Sequence, residues 1–291
     1  MNIGIVGLGL IGGSIAKSLK KRTSDKVFVW DNDKDAMAKA TLLEVYDEVL
    51  THDNAKELDI LVLCVYPKAI ERALDEYVPC LRAGAIVVDC GGIKRQIVQK
   101  MNALRKIYPD INFVGGHPMT GREFSGISHA TASLFEKSSV LIVPIKNEID
   151  VLYKIKNFFL SIGAERIVIT DANTHDEMIS YTSQLAHIVS SAYVKSDLAE
   201  SHYGYSAGSF RDMTRVAKIN SKMWSELMME NRDYLIEQLK VFEKNVSDIR
   251  CALESEDRDK LKELLDKGNE IKTKVEENRV RKLNEKGFKG E

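Results

Sequence analysis

Two hydrophobic periods alternate along the first 170 residues. The runs "NIGIVGLG", "KVFVWD", "DILVLCVY", "GAIVVDCG", "INFVGGHP", "SSVLIVPI" and "AERIVIT" are nearly all apolar and of strand length. Between them lie "SIAKSLKKR", "DKDAMAKATLL", "IKRQIVQKMNALRKI" and a segment near 148–161, read as amphipathic helices. A strand that is apolar at every position is buried on both faces, which requires helices above and below it. The pattern therefore predicts a parallel, doubly wound α/β sheet.

From about residue 171 the strand pattern stops. "THDEMISYTSQLAHIVSSAYVKSDLA" reads as one helix. A longer helical segment starts at Trp224, with apolar steps of three or four through Leu227, Met228, Leu235, Leu239, Phe242, Val246, Ile249 and Leu253. Ser255 is then expected to cap a last helix, "RDKLKELLDKGNEIKTKVEENR". The expected organisation is an α/β domain over residues 1–170 and an all-α domain over 171–291. The apolar stripes of the second half can pack on one another or against a second copy of the chain, and pattern alone leaves both open. About ten charged and glycine-containing residues at the end are expected to fray.

Composition narrows the function. The chain has 291 residues, 44% hydrophobic and 29% charged, as in an ordinary globular protein. A net charge of -1 lacks the basic excess of a nucleic-acid binder. No apolar run reaches the length of a membrane span, and the start leads straight into a strand without a signal-sequence pattern, so a cytoplasmic location is the default. Cys64, Cys90, Cys80 and Cys251 lack metal-ligand spacing, so no metal site is expected.

The first strand runs into "GIVGLGLIGGS", where Gly7, Gly9 and Gly12 have the G-x-G-x-x-G spacing. A strand precedes it, a helix follows, and a second strand ends at Asp31, the context a Rossmann-type dinucleotide site requires. The expected cofactor contacts are Gly7, Leu8, Gly9, Leu10, Ile11 and Gly12 around the phosphates. Asp31 would take the ribose hydroxyls, which favours NAD over NADP. Asp33 is the rival for that role, and a helix cap is the plain alternative for Asp31.

A nicotinamide enzyme that oxidises an alcohol needs a group to take the hydroxyl proton, and histidine titrates near neutrality. Of the six histidines, His52, His129 and His202 lie in polar, exposed-looking stretches. His117 follows the strand "INFVGG", and ligands of open α/β sheets collect beyond such strand ends. Position alone leaves His117 evenly poised between a catalytic base and a satisfied loop histidine.

The glycine loop, "VDCGGIK", "GGHPMTGREFSG", "THDEMISYTSQLAH" and "FRDMTRVAKINSKMW" occur in this order over nearly the whole chain. In this they resemble the prephenate dehydrogenase family, which includes the arogenate dehydrogenases. The resemblance implies that His117 is the catalytic group on the substrate's ring hydroxyl and that Arg215 binds a substrate carboxylate. It places His187 in the substrate site, with Thr120 and Gly121 shaping the loop around the substrate, and makes the helical half a homodimerisation domain. A dianionic substrate such as prephenate independently calls for a guanidinium partner.

Two positions depart from the family pattern. Gln184 stands for the first histidine of a helix motif, and Gly92 for a serine common beside the catalytic histidine. The latter leaves open what holds His117. His175 and Asp176 are read as cap and packing residues, and Arg211 with Asp212 as a pair holding the loop. Lys94 is either an electrostatic aid or a solvated lysine. Arg122 and Glu123 face the pocket or the partner subunit, and Trp224 is a wall of the site or part of the core. The implied reaction is NAD-dependent oxidative decarboxylation of prephenate to 4-hydroxyphenylpyruvate. Arogenate as substrate is the nearest rival, and a β-hydroxyacid dehydrogenase or a non-enzymatic nucleotide sensor the more distant ones.

Overall fold

The computed structural model of the chain describes residues 1–121, 124–146 and 148–284. The strands are β1 (Asn2–Val6), β2 (Lys26–Trp30), β3 (Glu48–Val49), β4 (Ile60–Leu63), β5 (Ile86–Asp89), β6 (Asn112–Pro118), β7 (Ser139–Pro144) and β8 (Arg166–Ile169). They form one sheet of order β3-β2-β1-β4-β5-β6-β7-β8. The helices flanking it are α1 (Leu10–Arg22), α2 (Lys34–Leu42), α3 (Pro67–Tyr77), α4 (Arg95–Ile107) and α5 (Ile149–Ser161). The sequence pattern passes over α3, which starts with Pro67 in its first turn, where a missing N–H costs nothing.

Alternate residues of each strand serve opposite faces. Ile3, Ile5, Val62 and Val88 pack with α1 and with Phe158 and Phe159 of α5. Val6, Leu61, Leu63 and Val87 pack with Ile70 and Leu74 of α3 and with Met101 of α4. The continuous apolar runs thus arise from burial on both sides.

Strand order reverses between β1 and β4, so the chain diverges on either side of that junction and leaves a crevice beyond the strands' carboxyl ends. The doubly wound sheet is parallel as expected except at one pair of strands. β7 runs antiparallel to β6, with His117 opposite Leu141 and Pro118 opposite Val140. A parallel return needs a long crossover, usually a helix, and among the described residues of the intervening segment the helical element is a short 3-10 turn at Ile127–His129.

Beyond the sheet lie α6 (Ala172–Ile179), α7 (Leu185–Tyr193), α8 (Gly208–Thr214), α9 (Ser221–Glu230), α10 (Arg232–Glu254) and α11 (Arg258–Asn284). The single helix expected from residue 174 is interrupted by a π-helical turn over Ser180–Gln184. Hydroxyls there compete for the helix carbonyls: Ser180 Oγ donates to Glu177 O at 2.6 Å and Thr182 Oγ1 to Met178 O at 2.8 Å.

The long helix expected from Trp224 breaks at Asn231, which has φ −111° and ψ 20°. Asn231 is 0% exposed, and its amide is fully employed. Nδ2 donates to Asp176 O and to Gln184 Oε1, each at 2.8 Å, while Oδ1 accepts from Arg95 at 3.0 Å. Ser255 does not cap the last helix. Its hydroxyl donates back to Cys251 O at 2.8 Å, and Asp257 accepts from Lys260 N at 2.8 Å instead.

The chain divides into two compact units, Met1–Leu235 and Ile236–Glu291. In the second, Val246, Ile249 and Leu253 of α10 and Leu265, Ile271 and Val275 of α11 remain exposed. The fraying expected of the chain end falls, from residue 285 onward, outside the described residues. No helix among the described residues is long and apolar enough to cross a membrane.

Replacing Asn231 by Ala strands a buried carbonyl, an amide oxygen and a guanidinium N–H. Such orphaned groups cost about 1–3 kcal/mol each, partly relieved by water, so Asn231→Ala should lose about 3 kcal/mol in urea unfolding. A loss below about 0.5 kcal/mol would contradict this accounting.

Candidate active site

The turn after β1 is built around glycines. Gly7 has φ +96°, and its N–H donates to Trp30 O at 2.8 Å. A Cβ on Gly12 would stand 1.9 Å from Gly7 O, so the loop and α1 meet at a distance that only glycine permits. At Gly9 a Cβ would meet nothing within 4 Å, so the backbone lies open there. Gly9 also begins α1 with no side-chain cap and no acidic residue in the first turn. Uncapped N–H groups at an open helix N-terminus suit a pyrophosphate, and the loop therefore fits a dinucleotide.

Asp31 lies at the end of β2, where Oδ2 accepts from Leu8 N at 2.5 Å and Oδ1 from Asp33 N at 2.8 Å. Each oxygen keeps a second lone pair. The helix cap is Asp33, which begins α2 and accepts from Asp35 N at 2.9 Å. Asp31 and Asp33 line a small cavity of 220 Å³ with Gly9, Lys39, Gly126 and His129.

A larger cavity of 680 Å³ opens over the strand ends. Gly9, Leu10 and Ile11 border it, as do Cys64 after β4, Cys90 and Gly92 after β5, and His117 on β6. Its helical side carries Gln184, His187, Arg215, Trp224 and Leu227, with Thr120 and Gly121 on the loop after β6. Residues far apart in the sequence thus meet because parallel strands end at one edge.

His117 Nδ1 lies 2.9 Å from His175 Nε2, and His175 Nδ1 lies 2.7 Å from Asp176 Oδ1. Asp176 also accepts from Lys94 N at 2.7 Å and Arg95 N at 2.9 Å, at the start of α4. The cap reading of these two residues therefore changes. Asp171 caps α6 through Asn173 N and Thr174 N, whereas Asp176 receives the first N–H groups of a different helix. Burial first, then the Lys94 charge and His175, push the His117 imidazole well below its ordinary value.

Lys94 is not a solvated lysine. It is 0% exposed, forms an ion pair with Asp89 and donates to Ile93 O at 3.0 Å. Asp89 in turn accepts from Gly91 N at 2.8 Å and Gly116 N at 3.2 Å, the donors a buried carboxylate needs.

The two departures from the family pattern have local explanations. A Cβ at Gly92 would stand 3.2 Å from Leu227 Cδ2, so the leucine takes up room that a larger residue would need. Gln184 is buried and tethers α9 through Leu227 O at 3.0 Å.

His187 Nδ1 contacts Val216 O at 2.8 Å, and its ring lies 3.8 Å from that of Trp224. Burial pushes its imidazole down against the Val216 contact, which raises it, with the Arg215 charge adding to the fall. Trp224 is therefore a wall of the cavity. Thr120 Oγ1 donates to Leu134 O at 2.9 Å, which holds the loop. Arg211 and Asp212 are both exposed, and no ion pair between them occurs among the described residues, so the expected pairing is not formed. Arg122 and Glu123 lie outside the described residues. His52 and His129 are exposed, while His202 is half-buried against Phe210, with Nδ1 2.7 Å from Ser206 Oγ. No group of three or more His, Cys, Asp or Glu among the described residues could hold a metal ion.

Residues 15–168 match the family model for the nucleotide-binding domain of prephenate dehydrogenase, and residues 171–267 match that for its dimerization domain. The chain belongs to the prephenate dehydrogenase family. It is thus an oxidoreductase with a nucleotide-binding domain. A cyclohexadienyl dehydrogenase of Zymomonas mobilis is 31% identical over 273 residues, 90% of this chain and 92% of the relative. A prephenate dehydrogenase of Lactococcus lactis is 29% identical over 94% of this chain and 77% of its own length. Among solved structures, prephenate dehydrogenase from A. aeolicus in complex with hydroxyphenyl propionate and NAD+ superposes with a TM-score of 0.82. It is 26% identical and covers 94% of this chain and 98% of its own.

The sequence reading missed the roles of His175, Asp176, Asn231 and the Lys94–Asp89 pair. The one available signal was a charged residue, Asp89, ending an otherwise apolar strand.

At the end of α9, the Glu230 carboxyl is pushed up to about 7 by burial first, then by Glu226 and Glu71. A raised folded-state value means that the folded chain holds the proton more tightly. That stabilisation is complete below the ordinary value of 4.5 and lost as pH rises through about 7. Glu230→Gln should therefore match the parent protein at pH 4 and exceed its stability by about 1 kcal/mol at pH 8, after allowance for solvent screening. Equal unfolding midpoints at pH 8 would contradict the assignment.

Proposed function

We propose that the protein catalyses NAD-dependent oxidative decarboxylation of prephenate to 4-hydroxyphenylpyruvate and carbon dioxide. The observation that carries this is the 680 Å³ cavity, which brings His117, His187 and Arg215 against the glycine loop. In the proposed organisation residues 1–170 bind NAD, and residues 171–291 bind substrate and form a homodimer. The exposed apolar residues of α10 and α11 support the last point. Gly7, Leu8, Gly9, Leu10, Ile11 and Gly12 hold the phosphates, and the free lone pairs of Asp31 take the ribose hydroxyls, which disfavours the extra phosphate of NADP.

His117 is the proton acceptor for the ring hydroxyl at C4. Bound NAD supplies the chemistry of hydride uptake from that carbon. The dienone left behind is conjugated to the carbon bearing the carboxylate, so carbon dioxide departs as the ring becomes aromatic. His117 then returns its proton to the phenolate oxygen, and no proton is released overall. Arg215 pairs with a carboxylate of the dianion, while His187 on Trp224, together with Thr120 and Gly121, bounds the substrate. Because aromatisation drives the reaction, the chain's task is orientation and proton handling.

The nearest second reading, arogenate, is a cyclohexadiene with an ammonium group in place of the keto group. The relative named cyclohexadienyl dehydrogenase favours keeping it in view. The deciding assay offers purified protein prephenate or arogenate with NAD or NADP and follows reduced nicotinamide. The expected outcome is at least roughly tenfold higher kcat/KM for prephenate with NAD than for any other pair.

His117→Asn should lower kcat by roughly 1,000-fold or more, with substrate KM within about threefold. Near-normal turnover would remove His117 from the reaction. Protonated His117 cannot accept a proton, and its ordinary value of 6.5 is depressed, so kcat/KM should stay level through neutrality and fall only at pH below 6.5. An acid limb centred above 6.5 would contradict this.

A further inference from the structure

We infer that His175, backed by Asp176, holds His117 as the Nδ1–H tautomer with the Nε2 lone pair free for the substrate hydroxyl, and so acts as a positioning residue for proton transfer. The inference rests on the reaction proposed above for its catalytic consequence, but the tautomer itself follows from hydrogen-bond accounting.

Asp176 is 2% exposed. Burial pushes its carboxyl up, but the His175 contact and the N–H groups of Arg95 and Lys94 outweigh burial and hold it below the usual carboxylate range. An ionised carboxylate only accepts, so the 2.7 Å contact has His175 Nδ1–H donating. The His175 side chain is fully buried, and burial and the Lys94 charge bring its imidazole below the ordinary value despite Asp176. A neutral imidazole that donates from Nδ1 has only a lone pair at Nε2. The 2.9 Å contact to His117 must then have His117 Nδ1–H donating, which leaves its Nε2 without a proton. The reverse arrangement would need a doubly protonated His175, a buried cation close to the Lys94 ammonium, and is disfavoured on both counts.

The far end of this series of hydrogen bonds is held at several points. Asp176 is tied to the start of α4 through Lys94 N and Arg95 N, and its backbone oxygen accepts from Asn231. Gly92, which lines the same cavity as His117, brings no side chain, and Leu227 lies 3.2 Å from where its Cβ would be. His175 is the hydrogen-bond partner of the His117 ring among the described residues. The imidazole is therefore oriented from behind, from the helix that follows the sheet.

The test uses the full chain labelled with 15N-histidine, in which two-bond correlation spectra report the proton on each ring nitrogen. Unliganded parent protein should show the His117 resonance, assigned by its loss in His117→Asn, protonated at Nδ1 and bare at Nε2. His175→Leu, which keeps an apolar filler but no acceptor, should lower kcat roughly 100-fold while substrate KM and NAD affinity stay within about threefold. His175→Gln offers an amide oxygen to Nδ1–H and should recover at least roughly tenfold of that loss.

A proton on Nε2 in the parent protein overturns the proposal, and so does a folded His175→Leu variant with kcat within about threefold of the parent. If His175→Leu fails to fold, the parent spectrum and the His175→Gln kinetics still decide. If the parent turns over neither prephenate nor arogenate, the reaction assignment fails and the spectrum alone judges the tautomer.

Discussion

Asp176 is a carboxylate with almost no access to water, placed in the second turn of α6, and the geometry of the site depends on how its charge is compensated. Burial alone would neutralise it or expel it. It remains charged because two backbone N–H groups at the start of α4, the Arg95 side chain and His175 all point at it. Those donors come from both sides of the cavity: α4 follows the strand-end loop that carries Gly92, and α6 leads into the π-helical turn that ends at Gln184 and then into α7, which carries His187. One buried anion thus sets the spacing between the cofactor side and the helical side. Asn231 reinforces it by bridging the backbone of Asp176 to the side chain of Gln184.

A second buried ion pair, Lys94 with Asp89, works at longer range. Each partner is fully buried, and such a pair gives little net stability because desolvation offsets attraction. Its Lys94 end disfavours protonation of both imidazoles, with Asp89 opposing this at His175. In the proposed reaction, a His117 kept neutral in this way is ready to accept a proton without first losing one to water.

Much of this was legible in the sequence, for reasons that can be located. Apolar runs reveal buried strands because the pleat exposes neither face, and Gly7 and Gly12 reveal a turn that no other residue can make. The position of His117 at a strand end could be read for the same reason. The direction of β7 could not, since an apolar hexamer reads alike whichever way it runs. His175 and Asp176 were opaque because an acidic residue near a helix start resembles a cap, and its true partners lie 81 and 82 residues away. Asn231 interrupts a periodic pattern without disturbing it, and only the buried amide contacts show why the helix stops there.

The reversal of β7 also determines which part of the chain lies over the ligand end of the sheet. Since β6 and β7 meet antiparallel, the intervening segment leaves and rejoins the sheet at the same edge. It is pinned there to α1: Lys17 Nζ donates to Ala130 O at 2.7 Å, Ser18 Oγ to Ala132 O at 3.0 Å, and Thr131 N to Ser14 Oγ at 3.0 Å. Ser125 and Gly126 border the large cavity and the small one alike. A single short stretch is therefore a shared wall, and any shift of it resizes both cavities together.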